Sequence, residues 1–212
     1  MSLRELARRL GISPSAISQI ETGKSLPSVG TLYAIVTELG MSLDELFAED
    51  PSDEAPAAGP GARRGHAGRP SSELSEQDPE DGRVQRVGSR HAIELETGVR
   101  WERLTARSDR DNDFLYVVYD VGGSSCQGGR FIRHSGREYG LVLSGTLEVT
   151  VGFDSYLLGP GDSISFDSTV PHCLRNAGEE PVHGVWFVIG RQSDERPAAF
   201  DAAAARTSLA GG

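Results

Sequence analysis

The hydrophobic pattern of this chain changes its period once, and that change divides the molecule. Over residues 2 to 47 apolar side chains recur at helical spacing: Leu3, Leu6 and Leu10, then Ile17 and Ile20, then Leu32, Ile35, Val36 and Leu39, then Leu43, Leu46 and Phe47. From about Arg83 the period is two, in short β-branched or aromatic runs such as "FLYVVYDV", "GLVLSGTLEVTVG" and "HGVWFVIG", separated by Gly, Asp-rich or Pro-Gly turns. Between them "PSDEAPAAGPGARRGHAGRPSSELSEQDPEDG" has almost nothing to bury. The expectation is an α + β chain of two domains. A small all-α bundle spans 1–50, a flexible linker 51–82, an all-β barrel or sandwich 83–190, and a fraying C-terminal tail 191–212.

Composition narrows what such a chain can do. No apolar run approaches the roughly 20 residues needed to span a bilayer, and "MSLRELARRL" is amphipathic rather than signal-like, so no membrane partner and a cytoplasmic location are expected. Cys126 and Cys173 are far apart and not in a C-x-x-C arrangement, which predicts two reduced, unpaired thiols, with Cys173 a small buried hydrophobe beside His172. The formal net charge of -10 excludes a general affinity for nucleic acid. Any DNA contact has to come from a local basic patch.

The helical segment is punctuated as a set of short helices. Ser13 can cap a helix whose first residue is Pro14, and Gly40 can end the long helix before it. Residues 3 to 47 resemble the helix-turn-helix domain of the Cro and phage-repressor type: Ala7 lets two helices approach, Gly11 permits the tight turn, and Ile12, Ile17 and Ile20 hold the second helix on the first. The resemblance implies a double-stranded DNA operator, read by a homodimer. Pro14, Ser15, Ser18 and Gln19 would lie on the reading face, with Gln19 suited to adenine, while Arg4, Arg8, Thr22 and Lys24 would position the backbone. The plainer alternative is a set of surface polars on a helical protein-protein module. The family carries a further helix ahead of the one that starts here at Ser2, so Leu6, Leu39 and Phe47 are expected to keep exposed apolar surface.

Two motifs in the second half resemble those of the cupin family, over roughly residues 90 to 190. His134, Glu138 and Gly145 match the first motif, with Ile132 in place of its first His; Gly161, His172 and Asn176 match the second, with Asp167 and Thr169 in place of the usual Pro and Gly. The resemblance implies a double-stranded β-helix barrel. Two His and one carboxylate can form a facial triad with open coordination positions, so His134, Glu138 and His172 are candidate ligands of one divalent Fe, Mn, Ni or Zn. The alternative is a hydrogen-bonded polar cluster lining an organic pocket, in which Ile132 and Gly140 leave room for the ligand. His91 and His183 match neither motif and are expected on the surface or in strand packing.

A helix-turn-helix tethered to a cupin resembles bacterial transcriptional regulators whose barrel senses a small-molecule effector, with no catalytic residues. The same order also occurs in hydroxypropylphosphonate epoxidase, a mononuclear non-heme iron oxygenase. Beyond scattered Arg130, Arg133 and Arg137 no phosphonate clamp is identifiable, which favours the regulator.

Overall fold

The computed structural model describes residues 1–41, 43–47, 82–109, 111–126 and 128–190. The linker expectation (apart from Gly82) and the tail expectation lie outside them. Among the described residues four α-helices come first: α1 (Leu3–Leu10), α2 (Pro14–Glu21), α3 (Val29–Leu39) and the single turn α4 (Leu43–Leu46). Serine begins each of the first three. The hydroxyls of Ser2, Ser13 and Ser28 accept from the backbone N–H of Glu5, Ala16 and Thr31, satisfying donors that a helix start leaves open. Gly11 and Gly40 end α1 and α3 at φ 67° and 65°, a left-handed conformation that glycine adopts without a Cβ penalty. Ala7, fully buried, lets α1 and α2 meet around Leu6 and Ile17, with Ile12 and Ile35 against them.

Nine antiparallel strands follow among the described residues: β1 (Ala92–Leu95), β2 (Val99–Arg103), β3 (Asn112–Tyr119), β4 (Arg137–Ser144), β5 (Leu147–Val151), β6 (Asp154–Leu158), β7 (Ser163–Asp167), β8 (His172–Asn176) and β9 (Val182–Ile189). They form a six-stranded sheet in the order β1-β2-β3-β9-β4-β7 and a three-stranded sheet in the order β6-β5-β8. Alternation fixes which residues face the interior. On β4, Glu138, Gly140 and Val142 are buried while Tyr139, Leu141 and Leu143 stay exposed.

The two units share one core. Val29, Leu32, Tyr33 and Val36 of α3, with Leu43 and Phe47, pack into the same apolar cluster as Trp101, Leu115, Val117 and Trp186 of the barrel. Glu96 donates its backbone N–H to the Pro27 carbonyl at 3.0 Å, and the Arg103 guanidinium lies over the Phe47 ring at 6.0 Å. Two expectations change as a result. Leu6 and Phe47 are buried, at 8% and 4% exposure, the first by α2 and α3 and the second by the barrel; Leu39 alone keeps its exposed surface, at 41%.

The cysteines are the second correction. Cys126 and Cys173 are joined in a disulfide, with Cα atoms 5.6 Å apart. The segment entering the barrel after β3 runs antiparallel to β8, through bridges Ser124↔Arg175 and Ile132↔His172, so residues 47 apart in sequence become neighbours. Spacing along the chain carries no trace of that pairing. Among the described residues no helix is long and apolar enough to cross a membrane.

Candidate functional site

Three polar side chains converge inside the barrel. Glu138 projects from β4, His172 is the first residue of β8, and His134 precedes β4 on a segment pinned by its own N–H to the Ser168 carbonyl at 3.0 Å. The Nε2 atoms of His134 and His172 lie 2.9 and 3.1 Å from the same oxygen, Glu138 Oε1. Close as they are, none of the three atoms has a hydrogen-bond partner of acceptable geometry. The other ring nitrogens explain why. His134 Nδ1 lies 3.0 Å from the Ser135 carbonyl and His172 Nδ1 lies 2.9 Å from the Val170 carbonyl; a carbonyl only accepts, so the ring proton sits on Nδ1 and an Nε2 lone pair faces the carboxylate.

Lone pairs aimed at one point from buried groups form an arrangement that could hold a cation between them. One donor atom from each residue lies within 4.8 Å of the others, and the donor set of two imidazoles and a carboxylate suits a divalent transition metal. Burial alone would raise the Glu138 carboxyl; positive charge on the facing His134 and His172 rings outweighs it and holds the group well below the usual carboxylate range, and a cation between neutral rings would act in the same direction. It enters the cluster as a carboxylate.

A further residue orients that carboxylate, and the motifs do not contain it. Trp186 Nε1 donates to Glu138 Oε2 at 2.7 Å, leaving Oε1 for the histidines. The indole reaches there because it lies across Gly140, its register partner on β9, where a Cβ would come within 2.1 Å of the Trp186 ring. The expectation that Gly140 leaves ligand space is therefore corrected: an indole fills that space. Ile132 does face the interior, exchanging backbone hydrogen bonds with His172 at 3.0 and 2.9 Å and lining the residual cavity beside Glu138. His183 accepts or donates at Nδ1 with the Tyr116 hydroxyl at 3.0 Å, in strand packing, and His91 is half-buried.

On the helical unit, Pro14 and Ser15 in the first turn of α2 and Gln19 in its second are exposed and Ser18 is half-buried, while Arg4, Arg8, Thr22 and Lys24 are exposed around it. Three are already engaged, the first being Ser15, whose Oγ lies 3.4 Å from Ser13 Oγ. Arg8 donates to Glu5 at 2.6 and 3.0 Å, and with Arg9 it holds the Glu5 carboxyl down to about 2; the Thr22 hydroxyl donates to the Ser18 carbonyl at 2.8 Å. Sequence reasoning also missed Tyr33, whose ring stacks on His134 with centroids 4.3 Å apart.

Comparison with known proteins agrees with both halves. Residues 1–46 match the helix-turn-helix family and residues 115–188 match the cupin domain family. The chain joins a helix-turn-helix domain to a cupin domain. It is 26% identical over 176 residues to the HTH-type transcriptional regulator PuuR of Escherichia coli (strain K12), covering 83% of this chain and 80% of that one. With the HTH-type transcriptional regulator SutR of the same organism it shares 23% identity over 182 residues, 86% and 83% of the two chains. The crystal structure of an HTH_3 family transcriptional regulator from Vibrio cholerae superposes with a TM-score of 0.55 at 21% identity, over 89% of this chain and 86% of that one, which shows a common fold. The cupin domain contributes the His-Glu-His cluster, and the helix-turn-helix domain contributes α2.

Proposed function

We propose that this protein is a sequence-specific DNA-binding transcriptional regulator in which α2 reads the operator and the cupin barrel senses a small molecule through a divalent metal on His134, Glu138 and His172. One observation carries the DNA half. The apolar residues of α1 and α2 are turned onto a shared core while Ser15 in the first turn and Gln19 in the second stand exposed along a capped helix, the presentation a major-groove reader needs. The two regulators matched along more than four-fifths of this chain support the same reading over the oxygenase one.

The barrel's own residues hold and orient. The Ser135 and Val170 carbonyls fix the tautomers of the two imidazoles, and Trp186 fixes the rotation of Glu138. A bound divalent ion would supply a Lewis acid with open positions for an oxygen donor of the effector. For dimerisation the outer face of the six-stranded sheet is suited: Phe114, Tyr139, Leu141 and Leu143 are exposed there, and an isologous contact would place two copies of α2 on successive half-sites.

Footprinting on the gene's own upstream region, with metal content determined on the same anaerobic preparation, tests this reading. The expected result is about one metal per chain and two protected half-sites about one helical turn apart. No protection at any protein concentration would contradict the regulator.

A further inference from the structure

Helix α3 stands where an effector would have to go. Its Tyr33 stacks on His134 and leans on Trp101 at 5.4 Å, and Gly30 allows so close an approach that a Cβ there would lie 3.1 Å from Ile132 Cγ2. Beneath the helix, the cavity bounded by Tyr33, Ile132, Glu138 and Trp186 measures about 20 Å³, room for one water. On the other side, a cleft of about 820 Å³ opens between the helices and residues 128–133 with Ser125, with Thr31, Thr37 and the Arg9-paired Glu38 on one wall and Arg130 and Arg133 on the other. Tyr33, Ser125 and Ile132 line both spaces. They are the partition between an open cleft and a closed His-Glu-His cluster.

We propose that α3 is the lid of the barrel's ligand site: an anionic, oxygen-donating small molecule enters from the cleft, takes the volume that Tyr33 fills over His134, and so releases the DNA-binding domain from its own barrel. A small carboxylate fits this chemistry. Its oxygens chelate where three protein donors leave positions open, and Arg130 and Arg133 face its charge from the cleft wall. Exclusion is steric, because a molecule larger than one water cannot share the space with the Tyr33 ring. A ligand that binds only the undocked state shifts the population toward it in proportion to its affinity, so effector occupancy is read out as freedom of the helix-turn-helix domain. The chelate rests on the metal reading given above; the lid does not.

The test uses the full chain carrying Pro27→Cys and Glu96→Cys, two positions joined by a backbone hydrogen bond of 3.0 Å and remote from the metal ligands. That hydrogen bond brings the Cα atoms to about 5–6 Å, within disulfide range. Oxidised glutathione should close an intrachain cross-link between them, identified by peptide mass spectrometry. Co(II) serves as the metal probe and oxalate as the carboxylate. Co(II) alone should give visible absorption bands in the locked variant and in the unlocked wild-type chain alike, both with the Cys126–Cys173 disulfide intact, whereas oxalate should shift those bands only in the unlocked chain and slow cross-linking of the variant about tenfold. Absence of the cross-link, or its formation between two chains, would overturn the lid. Equal oxalate shifts in locked and unlocked protein would overturn the exclusion. No Co(II) bands in either form, with cross-linking intact, would sink the metal reading and the chelate with it.

Discussion

Replacing Trp186 by Phe removes the hydrogen bond that aims the Glu138 carboxylate. The phenyl ring lacks the Nε1–H that reaches Oε2 at 2.7 Å, and it also lacks the outer indole atoms that lie over Gly140, so part of the stability loss comes from vacated volume. A hydrogen bond to a buried charged group contributes about 1.5–3 kcal/mol, and loss of a partner that orients a metal ligand lowers metal affinity about 10–100-fold. The two scales agree, since about 1.4 kcal/mol corresponds to tenfold in an equilibrium constant. Calorimetric titration of the metal-free variant with Ni(II) or Zn(II) should therefore show affinity reduced by one to two orders of magnitude, roughly, and urea unfolding a loss of about 2 kcal/mol. Gly140→Ala is the contrasting control. Its Cβ would meet the indole ring and drive it off Glu138, so that variant should lose at least as much affinity and also about 1–3 kcal/mol from overpacking. Unchanged metal affinity in Trp186→Phe, with the fold intact, would refute the idea that the indole holds the ligand geometry.

Gln19→Ala should weaken operator binding by about 1–3 kcal/mol at one base pair, whereas Lys24→Ala should weaken specific and random duplexes alike; fluorescence anisotropy on both duplexes separates them. Ile132→His places a fourth donor beside His172 and should tighten metal binding about tenfold or more while closing an open position, as calorimetry would show; weaker binding would place that side chain outside the cluster. Tyr139→Glu with Leu141→Glu puts charge on the exposed face of the six-stranded sheet and should convert a dimer to a monomer by light scattering, with the fold retained. Reducing the Cys126–Cys173 bond, which closes a loop of 47 residues, should lower unfolding stability by about 2–4 kcal/mol in urea titration.

Local chemistry made much of this legible before any coordinates. Ser13, Pro14, Gly11 and Gly40 carry their capping and turn roles in residue type alone, and His134, Glu138 and His172 stand at motif spacing. The rest depends on pairings that a linear pattern does not encode. Trp186 reaches Glu138 only because β4 and β9 pair with Gly140 opposite it. Cys126 meets Cys173 only because the segment after β3 runs along β8. Tyr33 reads as an ordinary core residue of a helical bundle, and it is one; what it packs on is the barrel, since Leu32, Val36 and Phe47 turn their apolar surface there as well. Of the apolar surface that sequence reasoning left uncovered, Phe47 helps join the two domains, while Leu6 is covered among the helices and Leu39 stays exposed.

The central claim is that this acidic chain reads a specific DNA sequence through one small helix. Its most direct test is the ratio of affinities for the gene's own upstream duplex and a scrambled duplex of equal length, measured by anisotropy at one physiological salt concentration. The account predicts a ratio of about 10³ or more, which falls for Gln19→Ala. Equal affinity for the two duplexes would contradict it.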